Sequence, residues 1–248
     1  MNASGTQSLL VLFLCAFVIA GATMAQAASS PVVRKRCAFD IGSGETKVIA
    51  AEVVSAESTP GIAKLLSKKV LIPFARNLRD SVIPDLLVKE AITKINELRS
   101  ECVAIGAREY SGVATSGFRM ARNAQQALTK ISHETDIPLQ VITAEQEAVL
   151  AFLAAASALQ ANRSNLVVWD VGGGSLQFSM SADGSSAALQ EYVISSGHQG
   201  AALFRNEVAK QFNREVAQAL NPLGQEKMTW AIELAKQLSR AVNPKIIE

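Results

Sequence analysis

Two aspartates define the chemistry this sequence can do. Asp170 closes the apolar run Leu166-Val167-Val168-Trp169 and is followed by Val171 and three glycines, Gly172 to Gly174. Asp40 closes a second run, and Phe39-Asp40-Ile41-Gly42-Ser43-Gly44 repeats the aromatic-Asp-aliphatic-Gly-x-Gly layout of Trp169 to Gly174. Glycines lack a Cβ, so such a turn can take positive φ and bring backbone N–H groups close to an anion. A strand-end carboxylate beside it suits Mg²⁺, which is commonly held by one or two carboxylates together with phosphate oxygens. Either stretch alone also reads as a glycine-rich hairpin turn with a capping aspartate. The duplication favours two hairpins, one from each half of the chain, that clamp a phosphate chain and one metal between them.

The elements that must position these turns follow from hydrophobic period. Cys37–Ile41, Lys47–Val54 and Leu65–Phe74 read as a β-β-β meander, with Glu57–Gly61 as a loop and Arg34-Lys35-Arg36 as a solvated start. Asp85–Arg99 places Leu86, Leu87, Ala91, Ile92, Ile95 and Leu98 on one helical stripe. Val103–Ala107 is ambiguous. Ser111–Thr115 reads as a buried strand, Asn123–Ser132 as a helix, and Leu139–Ile142 as a strand. Thr143 and Gln146 form a capping box that opens a helix to about Leu159. Its body is apolar all round, which predicts burial between sheets or between domains.

After a boundary at Ala161–Asn165 the plan repeats. Leu166–Trp169 reads as a strand covered on both faces, followed by strands at Leu176–Met180 and near Ala188–Ile194, with a turn at Asp183-Gly184-Ser185. Helices are expected at about Ala201–Leu220 and Gln225–Val242, and the strands that should follow them are missing. The expected organisation is a leader at residues 1–27, a first domain at 31–160 and a second, incomplete one at 161–248.

The 248 residues suffice for two modest domains, and with 49% hydrophobic but 5% aromatic residues the cores must be aliphatic. A formal charge of +2 without a basic run or aromatic interleaving argues against nucleic acid as a partner. Leu9–Ala22 is an uncharged apolar run, short for a membrane span, followed by the small-x-small pattern Ala25-Gln26-Ala27. It reads as a signal peptide cleaved after Ala27, which implies a periplasmic or secreted protein with no stable membrane span. Cys37 and Cys102 then remain, and their apolar settings favour two buried thiols over one disulfide. His133 and His198 lack metal-ligand spacing.

A duplicated β-β-β-α-β-α-β-α plan with an Asp-x-Gly turn in each half resembles the actin-like (ribonuclease H-like) α/β fold, in which two such domains flank a cleft. Val113-Ala114-Thr115 through Asn123 is similar to the "ATxxxRxAxN" signature of the exopolyphosphatase and guanosine pentaphosphate phosphohydrolase (Ppx/GppA) family. Val141 to Ala148 resembles that family's "VISGxEEA", and Asp170 to Ser175 its "DIGGGS". The resemblance implies an Mg²⁺-dependent phosphoanhydride hydrolase acting on polyphosphate or guanosine pentaphosphate. Export mildly favours polyphosphate.

By the same resemblance, Glu147 activates a water and Arg119 contacts phosphate, Asp40 and Asp170 hold the metal, and Gly42, Ser43, Gly172, Gly173, Gly174 and Ser175 cradle phosphate. The residues alone also allow Glu147 to be a dipole-stabilising glutamate of a helix N-terminus and Arg119 a surface salt bridge. The first turn departs from the family's "GSNS" at Gly44 and Glu45, losing an amide and gaining a negative charge. Glu45 either points away, binds the metal, or weakens phosphate binding. The "EEA" segment departs at Gln146 and at Val149, where an arginine is usual. The alternative to hydrolysis is a non-catalytic polyanion- or protein-binding module, and a homodimer is open.

Overall fold

The computed structural model describes residues 32–55, 61–183, 191–197, 200–213, 224–240 and 242–247. The expected leader, most of the loop at 57–61, Gly184 and Ser185, the start of the strand near Ala188, His198 and residues 214–220 lie outside the described residues, and the helix expected to run to about Leu220 stops at Gln211, followed by Asn213 at a φ of 50°.

The first half builds a five-stranded sheet. The meander is β1 Val32–Ile41, β2 Glu45–Ser55 and β3 Gly61–Leu71. After a short α1 at Phe74–Asn77 come α2 Asp85–Ile105, β4 Glu109–Ala114, the one-turn α3 Ser116–Arg119, α4 Ala124–Thr135 and β5 Leu139–Val141. The strand order is β3-β2-β1-β4-β5, with β1 antiparallel to β2 and parallel to β4. Cys37, Phe39, Ile41, Val48 and Ala50 point to one face, where Leu87, Val88, Ala91, Ile95 and Leu98 of α2 and Leu128 and Ile131 of α4 cover them. Each fully buried side chain of this kind contributes roughly 1.5–3 kcal/mol.

α5 Ala144–Leu159 leads to the second sheet, β6 Val167–Val171, β7 Leu176–Ser181 and β8 Tyr192–Gly197 in the order β6-β7-β8. Among the described residues, α6 Ala201–Gln211, α7 Gln225–Ser239 and α8 Pro244–Ile247 follow. Phe152, Ala156 and Tyr192 form the second core, with Val168 and Ile194 packed against it. The face of β7 that meets α5 carries Gln177, Ser179 and Ser181, all buried. Small side chains there let the alanine-rich helix approach closely, and Ser179 Oγ donates to the Ala148 carbonyl at 3.1 Å.

Several expectations change. Cys37 and Cys102 are not two thiols but a disulfide, their Cα atoms 6.4 Å apart, because β1 and α2 pack directly in the first core. Leu86 is 79% exposed, and the buried stripe of α2 runs instead through Leu87, Val88, Ala91, Ile95, Leu98 and Cys102. β6 is covered on one face rather than two. It is the outer strand of its sheet, and Val167, Trp169 and Val171 are exposed while Trp169 stacks on Phe178. α5 likewise buries Ala148, Phe152 and Ala156 against the second sheet but leaves Leu150 and Leu159 exposed.

β4, expected to be buried, leaves Ser111 exposed and Gly112 and Val113 half-buried, and the remaining differences are of length. β1 starts at Val32, so Arg34 and Arg36 are strand residues that pair with Glu109 across on β4. α2 absorbs the ambiguous segment and stops at Gly106, whose φ of 87° suits glycine at a left-handed helix end.

Candidate active site

The two aspartate turns have the same construction. In each, the first glycine's N–H donates to the carbonyl three residues on, Gly42 to Glu45 and Gly172 to Ser175, both at 2.9 Å. The strand-end aspartates then face Lys47 and Gln177 across their hairpins. Among the described glycines, positive φ occurs at Gly106 and Gly224 and not in either turn. The turn glycines serve close approach instead. A Cβ at Gly173 would lie 2.8 Å from Ser43 Oγ of the first turn, one at Gly174 2.6 Å from Ser116 Oγ, and one at Gly200 2.5 Å from Ser175 N and 2.6 Å from Gly174 N. The turns thus meet tip to tip, and the start of α6 presses on the second one.

α5 and α3 bring the other charged groups to this junction. The capping box forms as the sequence implies: Thr143 Oγ1 accepts from Gln146 N at 3.2 Å, and Gln146 Oε1 accepts from Thr143 N at 2.9 Å. Glutamine at 146 thus keeps the capping role that a glutamate would also fill. Glu147 follows in the first turn, and its Oε2 lies 2.7 Å from Arg119 Nη2. Arg119 also donates from Nη1 to the Ile142 carbonyl at 3.1 Å and from Nη2 to Ser175 Oγ at 3.4 Å. Both side chains of the pair are 16% exposed, so this is not a surface salt bridge.

A cavity of about 330 Å³ is lined by Asp40, Glu147, Asp170, Lys47 and both turns. A second, of about 390 Å³, lies on the Arg119 side, and Ser175 lines both. Burial holds the Glu147 carboxyl above the usual range, against the lowering effect of Arg119, with smaller raising contributions from Asp170 and Asp40. Burial also raises Asp40, opposed by Lys47 and reinforced by Asp170. The charge of Asp170 thus reaches both Asp40 and Glu147, and that of Asp40 reaches Glu147. All ten residues expected at the site, Asp40, Gly42, Ser43, Arg119, Glu147, Asp170, Gly172, Gly173, Gly174 and Ser175, line one or both of these cavities.

Three neighbours escaped the sequence reading. Lys47 Nζ is 3.8 Å from Asp40 Oδ2. Gln177 Nε2 donates to Glu147 Oε2 at 3.3 Å, while its Oε1 is buried without a partner. Gly200 seats the second turn. The hairpin register could have found Lys47 and Gln177, since each faces a strand-end aspartate. Gly200 belongs to a stretch, Ser195 to Gly200, that reads as a turn and helix entry where the resembled family carries a glycine, and it does cap α6, but its packing on the second turn has no local signal. Glu45, whose direction was open, is held by Lys69, which donates to both its oxygens at 3.0 and 3.2 Å.

Among the described residues no group of three or more His, Cys, Asp or Glu could hold a metal by itself. Asp40 and Asp170, which line the same cavity, nevertheless offer carboxylate oxygens that fit a hard cation completed by phosphate and water. No described helix is long and apolar enough to cross a membrane.

Residues 53–215 match the family model described as the Ppx/GppA phosphatase family. A 92-residue segment is 33% identical to Exopolyphosphatase 1 of Mycobacterium tuberculosis, covering 37% of this chain and 27% of that protein, and equally to Exopolyphosphatase 1 of Mycobacterium leprae. The matched segment thus spans about a quarter of those curated relatives. The structure of the Aquifex aeolicus Ppx/GppA family member aligns with a TM-score of 0.64 at 22% identity, covering 84% of this chain and 63% of that one. An exopolyphosphatase from Cytophaga hutchinsonii aligns at 0.57 and 18% identity, covering 79% and 64%. The fold is the actin-like α/β fold that the motifs imply.

Proposed function

The chain belongs to the Ppx/GppA phosphatase family, and from that premise we propose that it is an exported, Mg²⁺-dependent hydrolase that releases terminal phosphate from polyphosphate or guanosine pentaphosphate. The observation that carries this reading is the buried Arg119–Glu147 pair set between two glycine turns. Arg119's fork suits a phosphate group, and a phosphate engaging it would draw the guanidinium from Glu147. The freed carboxylate, already made more basic by burial, takes a proton from the attacking water. Ser43, Ser175 and the turn N–H groups hold the phosphate chain in line, which is most of what phosphoryl transfer requires. Asp40 and Asp170 would hold Mg²⁺, which supplies charge neutralisation to the phosphate oxygens when bound.

Export is supported by the apolar run at Leu9–Ala22 with its cleavage pattern and by the Cys37–Cys102 disulfide, which suits an oxidising compartment. The second reading is a non-catalytic polyanion-binding module. Glu45 favours it, because a carboxylate lines the cavity where the family has serine. Phosphate release from polyphosphate with Mg²⁺, compared between the native chain and Glu147→Gln, separates the two.

A further inference from the structure

From Asp40 a line of charges runs outward across the open face of the five-stranded sheet, and its lysines have no part in the hydrolysis. In the register of β1, β2 and β3, Asp40 faces Lys47 and Lys47 faces Lys69. Like charges directly opposite each other on neighbouring strands are unfavourable. Each lysine is therefore steadied by a carboxylate, Lys47 by Asp40 and Lys69 by Glu45. Glu45 and Lys47 line the cavity of the two turns, whereas Lys69 stands one strand farther out. The side chains of Lys47 and Lys69 are 57% and 65% exposed, so both ammonium groups can exchange a carboxylate for a phosphate.

Resting on the hydrolase reading, we propose that Lys47 and Lys69 form the track along which the unreacted part of a linear polyphosphate leaves the cleft, with Lys69 selecting chains long enough to reach it. Adjacent strands lie about 4.7–4.9 Å apart, so the two lysines offer paired positive charges to a repeating anion. A nucleobase finds no stacking partner on this face, because Phe39, the aromatic residue of these three strands, is turned into the core. Glu45 then has a use as a departure from the family's serine, since it fixes Lys69 at the mouth of the cavity.

The test compares kcat and KM on tripolyphosphate and on long-chain polyphosphate for the native chain, Lys69→Gln and Lys69→Arg, with Mg²⁺. One exposed charge contact corresponds to about fivefold, so Lys69→Gln should raise KM about fivefold on the long chain alone, with kcat kept and Lys69→Arg close to native. No change, or an equal change on both substrates, overturns the track and leaves hydrolysis standing. Calorimetry on the Glu147→Gln protein repeats the comparison without turnover. A chain that releases no phosphate yet binds long-chain polyphosphate about fivefold more weakly after Lys69→Gln upholds the track and overturns the hydrolase reading. A chain that neither releases nor binds overturns both.

Discussion

Arg119 Nη2 lies 2.7 Å from Glu147 Oε2, and Gln177 Nε2 approaches the same carboxylate oxygen at 3.3 Å. The phosphate contact and the base inferred from sequence are thus one mostly buried unit, tied to the second hairpin through Gln177.

The pH dependence of stability follows from that burial. Glu147 is held above its ordinary value of 4.5, so the folded chain keeps this proton to higher pH than the unfolded one. The resulting stability is fully present below 4.5 and is lost as pH rises through the folded pKa. Glu147→Gln, which never ionises and still offers an acceptor to Arg119, is expected to melt above the native chain at pH 7 and to converge with it near 4.5. Thermal unfolding across that range checks it, and a lower Tm for the variant at pH 7 contradicts it.

Gly200→Ala puts a Cβ within 2.6 Å of the backbone of Gly173 and Gly174, atoms that cannot move aside without displacing the turn. Overpacking of this kind costs roughly 1–3 kcal/mol, and phosphate affinity should fall with it. Gly44→Asn is the contrast, because a Cβ there meets nothing within 4 Å. It should leave the urea midpoint unchanged and, by adding an amide donor, tighten phosphate binding in calorimetry.

These two glycines also mark what sequence could and could not convey. Asp40, Asp170, Arg119 and Glu147 were legible because each belongs to a short motif whose chemistry is local. The Thr143–Gln146 cap was legible because its spacing lies within one helical turn. Gly200, Lys69 and the Cys37–Cys102 link were not, since their meaning depends on strand register and packing between distant segments. β6 was misread as doubly covered because periodicity alone does not tell a central apolar strand from an outer one.

The disulfide joins residues 65 apart in sequence, a loop whose closure in the unfolded chain corresponds to about 4 kcal/mol. Reduction should lower the urea midpoint accordingly, measured with and without dithiothreitol, and Cys37→Ala/Cys102→Ala should match the reduced protein. Equal midpoints in all three preparations would show that the link contributes nothing to stability.

Thr143→Ala removes the cap that starts α5 and should cost about 1 kcal/mol. Because Glu147 lies in the first turn of that helix, kcat should fall more than KM rises. Thr143→Ser keeps the acceptor and should restore both.

The most direct test is release of inorganic phosphate from long-chain polyphosphate by the mature chain with Mg²⁺, beside Glu147→Gln and an EDTA control. Metal-dependent release by the native chain is expected, with a loss of at least about a hundredfold in Glu147→Gln. Release that persists in Glu147→Gln, or no release by the folded native chain, would contradict it.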